Sequence, residues 1–286
     1  MAKEGRTARE GYGLIAPALA VMAVGLMAPL ALMLTASLKN QSGLGVTEGW
    51  TLAQYGDVLG RASYRILFLR SLLISGAVTL VTLALAYPVA YYVAFHARRK
   101  FVWLVALTIP FWTSYLLRVF AWKIILGFNG LINSGLMRLH LIDQPLGFLL
   151  YNPFAVVLTL AHAWAAFAIL PIYVSLEKID RSLLEAASDL GDGPLRRFLR
   201  VTLPLSMPGV VGAALLIFVP TTGDYVTPAL VGGTQGAMIA NLIEVQFISA
   251  GNWPLGAALS LAGMAMVAII AGLFVAGARA AAKAAR

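Results

Sequence analysis

The sequence predicts an all-α integral membrane protein with six transmembrane helices. Of its 286 residues, 60% are hydrophobic and only 12% are charged, where soluble domains carry about 45–50% apolar and about a quarter charged residues. The mean hydropathy is +0.84, which leaves too little polar surface to coat a water-soluble globule. Apolar stretches also recur at the roughly 20 residues needed to cross a hydrocarbon core about 30 Å thick. Cysteine is absent, which excludes a disulfide framework, a thiolate metal site and a cysteine nucleophile. Hydropathy places a single membrane-embedded permeation-type bundle over residues 1–286, with no internal repeat and no second domain.

Charge-free runs at Gly11–Leu38, Ser71–Phe95, Gln144–Leu176, Val201–Gly223 and Val245–Ala278 set five spans, and Phe101–Gly127, interrupted by Arg118 and Lys123, sets the sixth. The spans are expected near 14–36, 71–95, 101–127, 154–176, 205–229 and 256–278. The first follows Lys3, Arg6 and Arg9, but its apolar run of 23 residues exceeds the 7–15 of a signal-peptide core, so it reads as a retained anchor. The connecting segments 37–70 and 128–153 are long enough for short helices, with Asn129-Gly130 and Asn152-Pro153 as breakers.

Basic residues set the orientation. With the N-terminus inside, the cytoplasmic pieces hold Lys3, Arg6, Arg9, Arg98, Arg99, Lys100, Lys178, Arg181, Arg196, Arg197, Arg200, Arg279, Lys283 and Arg286, fourteen of the twenty-one Lys and Arg. The outer segments hold Lys39, Arg61, Arg65, Arg70 and Arg138. This positive-inside bias predicts both termini in the cytoplasm, and it accounts for the net charge of +9 without nucleic acid as a partner.

The loop between the fourth and fifth spans, 178–204, carries the most specific pattern. Ser182 followed by Glu185 fits a capping box opening a short helix over Leu183–Leu190, and Gly191 suits the left-handed residue that ends it. Pro194 is placed to begin a second helix, and Pro204 and Pro208 interrupt the entry into the fifth span. Two short helices set at an angle below the membrane give a shape that another protein can grip. Glu185-Ala186-Ala187, three residues, Gly191, nine residues, Val201, one residue and Leu203-Pro204 together resemble the EAA loop of binding-protein-dependent ABC importer permeases, with valine where isoleucine is usual. Ala86-Tyr87-Pro88-Val89-Ala90-Tyr91, the run Ile109–Arg118, Gly223-Asp224-Tyr225-Val226-Thr227-Pro228, Leu230-Val231-Gly232-Gly233 and Ile239–Ile243 are similar to the B-type permease of the spermidine/putrescine branch, which also includes importers of other small organic solutes.

The resemblance implies a type I ABC importer permease fold in a bacterial inner membrane. Glu185, Ala186, Ala187, Gly191, Leu203 and Pro204 would couple it to a cytoplasmic ATPase. It implies a second permease, two ATP-binding subunits and an extracytoplasmic solute-binding protein as partners, besides the lipid bilayer. No cofactor is expected on this chain, with ATP and Mg on the partner subunits. The chain has no G-x-x-x-x-G-K-[ST] phosphate loop and is expected to be non-catalytic. Alternating access would follow from ATP closure drawing the paired coupling loops together.

Charged residues within a membrane usually face a cavity or a partner. On an unbroken helix Arg118 lies 17 residues past Phe101 and Asp224 19 residues past Leu205, about 26 and 29 Å along, which puts the two at similar depth. Either they form a structural ion pair, or Asp224 faces the pathway and meets cationic cargo. Trp112, Tyr115, Val119 and Trp122 form one stripe, read either as helix packing or as aromatic faces for ammonium groups. Tyr225 adjoins Asp224, and Glu244 sits on an expected partial helix, as a solvated or paired side chain or as a cargo contact. His162 reads as a hydrogen-bonded core residue, and the three histidines are too scattered for a metal site. An ion-coupled secondary transporter would show inverted repeats and a membrane enzyme a convergent nucleophile–base or metal set; the sequence has neither.

Overall fold

The computed structural model describes residues 2–42, 45–46 and 49–284. Lys3, Arg6, Arg9, Arg279, Lys283 and Arg286, counted above for orientation, lie outside the residues whose side chains are described. Among the described residues six helical segments are long and apolar enough to cross a membrane: Ile15–Ser37, Ala62–Phe95, Tyr115–Arg138 (broken by a turn at 127–130), Pro153–Glu177, Pro194–Thr222 and Trp253–Ala278. The only strands among them are the two-residue pair β1 (Gln41–Ser42) and β2 (Gly45–Val46). The chain divides into two compact units, Met1–Ala62 with Ile243–Ala262, and Ser63–Leu242 with Gly263–Arg286.

In the first unit, α1 (Ala2–Ser37) presents Leu19, Val21 and Leu32 outward, as a helix surrounded by hydrocarbon does. Its end is tied to α2 (Ala53–Gly60) by the Ser37 and Tyr55 hydroxyls, 2.8 Å apart. The ammonium of Lys39 lies 4.6 Å from the centre of the Trp50 ring, a cation–π contact. In the same unit a π-helical turn at Val245–Ser249 precedes Gly251, whose φ of +60° turns the chain. Asn252 then caps the start of the last long helix by accepting from the Leu255 N–H at 3.1 Å, and the Phe247 ring stands edge-on to Trp253 at 5.6 Å.

The second unit is built on α3 (Ala62–Phe95), α4 (Lys100–Thr108), α5 (Tyr115–Leu126), α6 (Leu131–Arg138), α7 (Pro153–Glu177), α8 (Arg181–Asp189), α9 (Pro194–Arg197), α10 (Leu203–Thr222), α11 (Gly233–Gly236) and α12 (Ile239–Glu244, whose last two residues fall in the first unit). The last long helix, α13 (Trp253–Ala284), ends in it. The interior helix is α7. Val156, Leu160, Ile172 and Leu176 on it are fully buried, Asn152 caps it by accepting from the Ala155 N–H at 3.0 Å, and Pro153 takes the first turn, where its missing N–H is not needed. Helix α10 packs on α7 through small residues. A Cβ on Gly209 would stand 2.4 Å from the Pro171 carbonyl oxygen and 2.5 Å from the Ser175 hydroxyl. Lipid tails are as apolar as leucine, so close backbone approach rather than water exclusion drives such a contact.

The third expected span is not one helix. It stops at a 3₁₀ turn over Ile109–Trp112 and an extended Thr113, and helix resumes only at Tyr115. Pro110 supplies no N–H, and the Thr113 hydroxyl donates to the Pro110 carbonyl at 2.8 Å, which satisfies that oxygen without a further helical turn. The rise of about 26 Å from Phe101 to Arg118 therefore does not apply, and Lys100–Trp112 forms only a shorter apolar helix. The second span begins at Ala62 rather than at 71, so Arg65 and Arg70 are helical and not loop residues. The fifth span ends at Thr222 rather than at 229, which leaves Asp224 beyond its end.

Two glycines on α10 give a matched test of the close packing. Gly209→Ala forces a methyl group against the Pro171 backbone, so it should destabilise the purified protein by about 1–3 kcal/mol. Gly212→Ala should be neutral, because nothing lies within 4 Å of its added Cβ. Thermal unfolding in detergent, followed by size exclusion, reads both.

Candidate functional site

The loop after α7 forms a helix–turn–helix as the sequence predicts, with one correction. The helix begins at Arg181, and its cap is Asp180, which accepts from the Ser182 N–H at 3.0 Å, so Ser182 is not the capping residue. This bond and the neighbouring Ser182 hydroxyl hold the Asp180 carboxyl below the usual carboxylate range. The cap is therefore complete above the ordinary aspartate range and is lost as pH falls through that depressed value. Gly191 has a φ of +87°, the left-handed conformation that a side chain rarely adopts, and Pro194 opens α9. The carboxyl end of α8 is held by Arg197, which donates to the Ser188 hydroxyl at 2.8 Å.

The faces of this helix divide. Glu185 and Ala186 are exposed, whereas Ala187 is buried against its own chain, so only the first alanine is open to close approach by another molecule. Leu183 and Leu190, the latter 88% exposed, add apolar surface outside the spans. A π-helical turn over Phe198–Thr202 replaces the break expected at Pro204 and leads into α10 at Leu203 and Pro204. On that turn Phe198, which the sequence did not single out, meets Tyr87 edge-on at 5.7 Å and Tyr91 at 6.2 Å. Tyr87 in turn shares a 2.8 Å hydrogen bond with Ser206 of α10. Movement of the loop thus has a packed route into both α3 and α10.

At the other end of α10, about 30 Å away for a 20-residue helix, a cavity of about 370 Å³ opens between α5, α7 and the turn after α10. Its lining brings together Tyr115 and Arg118, Trp164 and Phe167, and Asp224 and Tyr225. Of the two readings of Arg118 and Asp224, the ion pair is not among the salt bridges of the described residues. Arg118 donates to the Ala163 carbonyl at 2.9 Å and lies 5.1 Å from the Phe111 ring, while Asp224 is taken up by other partners. One carboxylate oxygen accepts the Val226 and Thr227 N–H groups at 2.9 and 3.3 Å. The other accepts the Tyr115 hydroxyl and the Thr227 hydroxyl, the latter at 2.9 Å. The Asp-x-x-Thr spacing of a capped turn was the available signal for Thr227; none pointed to Trp164.

The remaining candidates do not all join this cluster. Trp112, 83% exposed, sits on the 3₁₀ turn and leaves the stripe that Tyr115, buried Val119 and Trp122 keep on α5. Tyr225 is exposed, with its carbonyl accepting from the Asn241 amide at 2.8 Å. Glu244 ends α12 as a half-buried residue and belongs to the other unit. His162 lies between the Phe111 and Trp122 rings at 6.0 and 5.5 Å rather than in a hydrogen-bonded core position. No group of three metal-ligating side chains occurs among the described residues.

The Tyr115 bond to Asp224 joins α5 to the turn after α10. Tyr115→Phe removes one of four donors from a half-buried carboxylate and should cost about 1–3 kcal/mol, read as a lower melting temperature of the purified protein, whereas the exposed Trp112→Phe should leave it unchanged.

The profile of binding-protein-dependent transport system inner membrane components matches residues 45–284. The spermidine/putrescine transport system permease protein PotB of Escherichia coli (strain K12) is 38% identical over 214 residues, covering 74% of this chain and 77% of that protein. The PotB of Haemophilus influenzae is 35% identical over 201 residues, 70% of each chain. A solved bacterial alginate ABC transporter, in complex with an alginate pentasaccharide-bound periplasmic protein, superposes with a TM-score of 0.76 at 13% identity, covering 99% of this chain and 98% of that one, a likeness that shows the shared type I ABC importer permease fold. The chain is a member of the binding-protein-dependent transport system inner membrane component family.

Proposed function

We propose that this permease imports polyamines of the spermidine/putrescine class as one of two permease subunits in an ATP-driven importer. The observation that carries the cargo is the 38% identity to the E. coli spermidine/putrescine permease over 77% of that protein. Both termini face the cytoplasm, in keeping with the distribution of basic residues. Two cytoplasmic subunits bind ATP and Mg, this chain hydrolyses nothing, and an extracytoplasmic binding protein delivers the cargo.

Coupling runs through α8. The exposed Glu185, Ala186 and Leu190 fit a surface that grips a partner cleft, with Glu185 as a polar anchor and the leucine as buried apolar area on docking. Ala187 and Gly191 hold the helix at its angle from within the chain, and Leu203-Pro204 passes its displacement into α10. ATP-driven approach of two such loops turns the pathway outward, and hydrolysis returns it. The cargo route takes in Asp224, Tyr225, Trp112 and Tyr115, and Glu244 of the other unit is a separate candidate contact. The Asp224 carboxylate is held in place by its hydrogen-bond donors, and the exposed Trp112 and Tyr225 offer faces to ammonium groups and methylenes.

Three measurements test this reading in proteoliposomes of the assembled importer. Radiolabelled spermidine uptake should require ATP and the binding protein; uptake driven by an ion gradient without ATP would sink it. Gly191→Val strains a left-handed residue by about 1–2 kcal/mol and should abolish cargo-stimulated ATP hydrolysis while the chain still inserts; wild-type stimulation would remove α8 from the coupling path. Asp224→Asn should lower uptake about tenfold or more, one interaction with a charged group being worth that much, with the complex intact. Normal uptake by a stable Asp224→Asn complex would take Asp224 off the cargo route.

A further inference from the structure

The stretch from Gly223 to Leu242 carries Asp224 and Tyr225, yet it has no long helix of its own. It consists of a turn, a π-helical turn over Pro228–Gly232 and the short α11 and α12. It is nevertheless interior, with Val231, Met238 and Ile239 buried. Neighbouring helices hold it by its backbone, all within the second unit. On one side the Tyr151 N–H, just before α7, donates to the Val231 carbonyl at 2.8 Å. Gly233 fits so closely under Tyr151 that a Cβ on it would stand 2.6 Å from the tyrosine carbonyl oxygen. On the other side is α3. One terminal nitrogen of Arg70 donates to the carbonyls of Thr234 and Ala237 at 2.9 and 3.4 Å, and the Ser71 hydroxyl accepts the Ile239 N–H at 2.7 Å. Arg70 has no carboxylate partner among the described residues, so its charge is committed to these two carbonyls. Asn241 donates its amide to the Tyr225 carbonyl at 2.8 Å, which ties the clamped part back to the residue beside Asp224.

The same helix meets the coupling loop. Its Tyr87 and Tyr91 rings lie against Phe198 at 5.7 and 6.2 Å. Tyr87 is 17 residues past Arg70, about 26 Å along a helix. Between them Ile74, Val78 and Ala86 are buried. The one proline in α3, Pro88, lies past Tyr87, and the carbonyl it leaves without a helical partner is that of Ala84, so any bend is confined to the Tyr87 end. We infer that α3 relays displacement of the coupling loop to the segment bearing Asp224, with Arg70 as the positioning residue at its far end. This rests on the proposed coupling through the loop after α7 and not on the identity of the cargo. A close-packed helix resists compression, so a shift at Phe198 reaches the Arg70 and Ser71 bonds, and those bonds set where the backbone from Tyr225 to Ile239 sits. Coupling of this kind needs a contact with two arrangements. Arg70 supplies one: a nitrogen with a short bond to one carbonyl and a long bond to another can keep the first and exchange the second.

The chain contains no cysteine, so Gln235→Cys at an exposed position of this segment accepts a single fluorophore in the importer assembled with cysteine-free partners in nanodiscs. With the binding protein present, ATP and vanadate should change the quenching of this label by iodide. Arg70→Met removes the donors and should weaken the underlying equilibrium shift about tenfold, the worth of one bond to a charged group. Arg70→Lys keeps a nitrogen able to donate to both carbonyls and should restore most of the response. Phe198→Leu opens the relay at its other end, and the double variant with Arg70→Met should lose no more than the larger single loss, because contacts in one series are not additive. Tyr87→Phe keeps the ring against Phe198 and removes only the bond to Ser206 of α10, so the label should still respond. If Arg70→Met does not assemble by size exclusion, Ser71→Ala, which removes the acceptor of the Ile239 N–H, takes its place. A silent label in the otherwise wild-type complex, additive losses in the double variant or no rescue by Arg70→Lys overturns the relay. Loss of the response in Tyr87→Phe overturns it in favour of a route through α10. Spermidine uptake judges the import reading separately, since the label reports a conformational change and not transport.

Discussion

Hydrocarbon cannot hydrogen-bond a peptide group, so every backbone N–H and C=O exposed by a helix break within the membrane must find a partner inside the protein. The course of this chain follows from how each break meets that demand. At Pro110 the Thr113 hydroxyl takes the carbonyl. After α10 the Asp224 carboxylate collects the N–H groups of Val226 and Thr227. Farther along, Arg70 of α3 donates to the carbonyls of Thr234 and Ala237, and the Ser71 hydroxyl accepts the N–H of Ile239. Where charge appears near these breaks, it completes the backbone before it does anything else.

The same demand gives the cavity its polarity. Asp224 is there because a broken helix needs an acceptor, and two backbone N–H groups and two hydroxyls occupy its carboxylate oxygens. Arg118 enters the same space from α5 with one amino group on the Ala163 carbonyl. Two charges of opposite sign therefore line one cavity without neutralising each other, each anchored to backbone by its own geometry. Side chains committed in this way are rigid, which favours selectivity over adaptability.

Coupling depends on a different kind of contact. The loop helix carries little apolar burial of its own, Ala187 being its buried residue, and it is oriented by Asp180 at one end and by Gly191 at the other. Phe198 between Tyr87 and Tyr91 joins that orientation to the spans through packed rings, which transmit displacement because close-packed interiors resist compression. The π-helical turn that carries Phe198 is a feature often found at functional positions in helices.

The fold class, the apolar stretches and the angled loop after α7 were legible in the sequence, because hydropathy, a glycine in the left-handed region and a proline at a helix start are local properties. The resemblance to the family was legible too, because the residues that carry it, Glu185, Gly191 and Leu203-Pro204, lie close together along one chain. Extrapolation failed where it assumed unbroken helices. The shared depth of Arg118 and Asp224 rested on two straight spans, and both are interrupted before those residues are reached. Which partner each charge takes was decided only in three dimensions, because a backbone carbonyl such as that of Ala163 or a hydroxyl such as that of Tyr115 leaves no mark on the composition and becomes a partner only when helices cross. Trp164 and Phe198 were invisible for the same reason: an aromatic residue in an apolar sequence looks like core until packing sets it at the wall of a cavity or places its ring against two tyrosines.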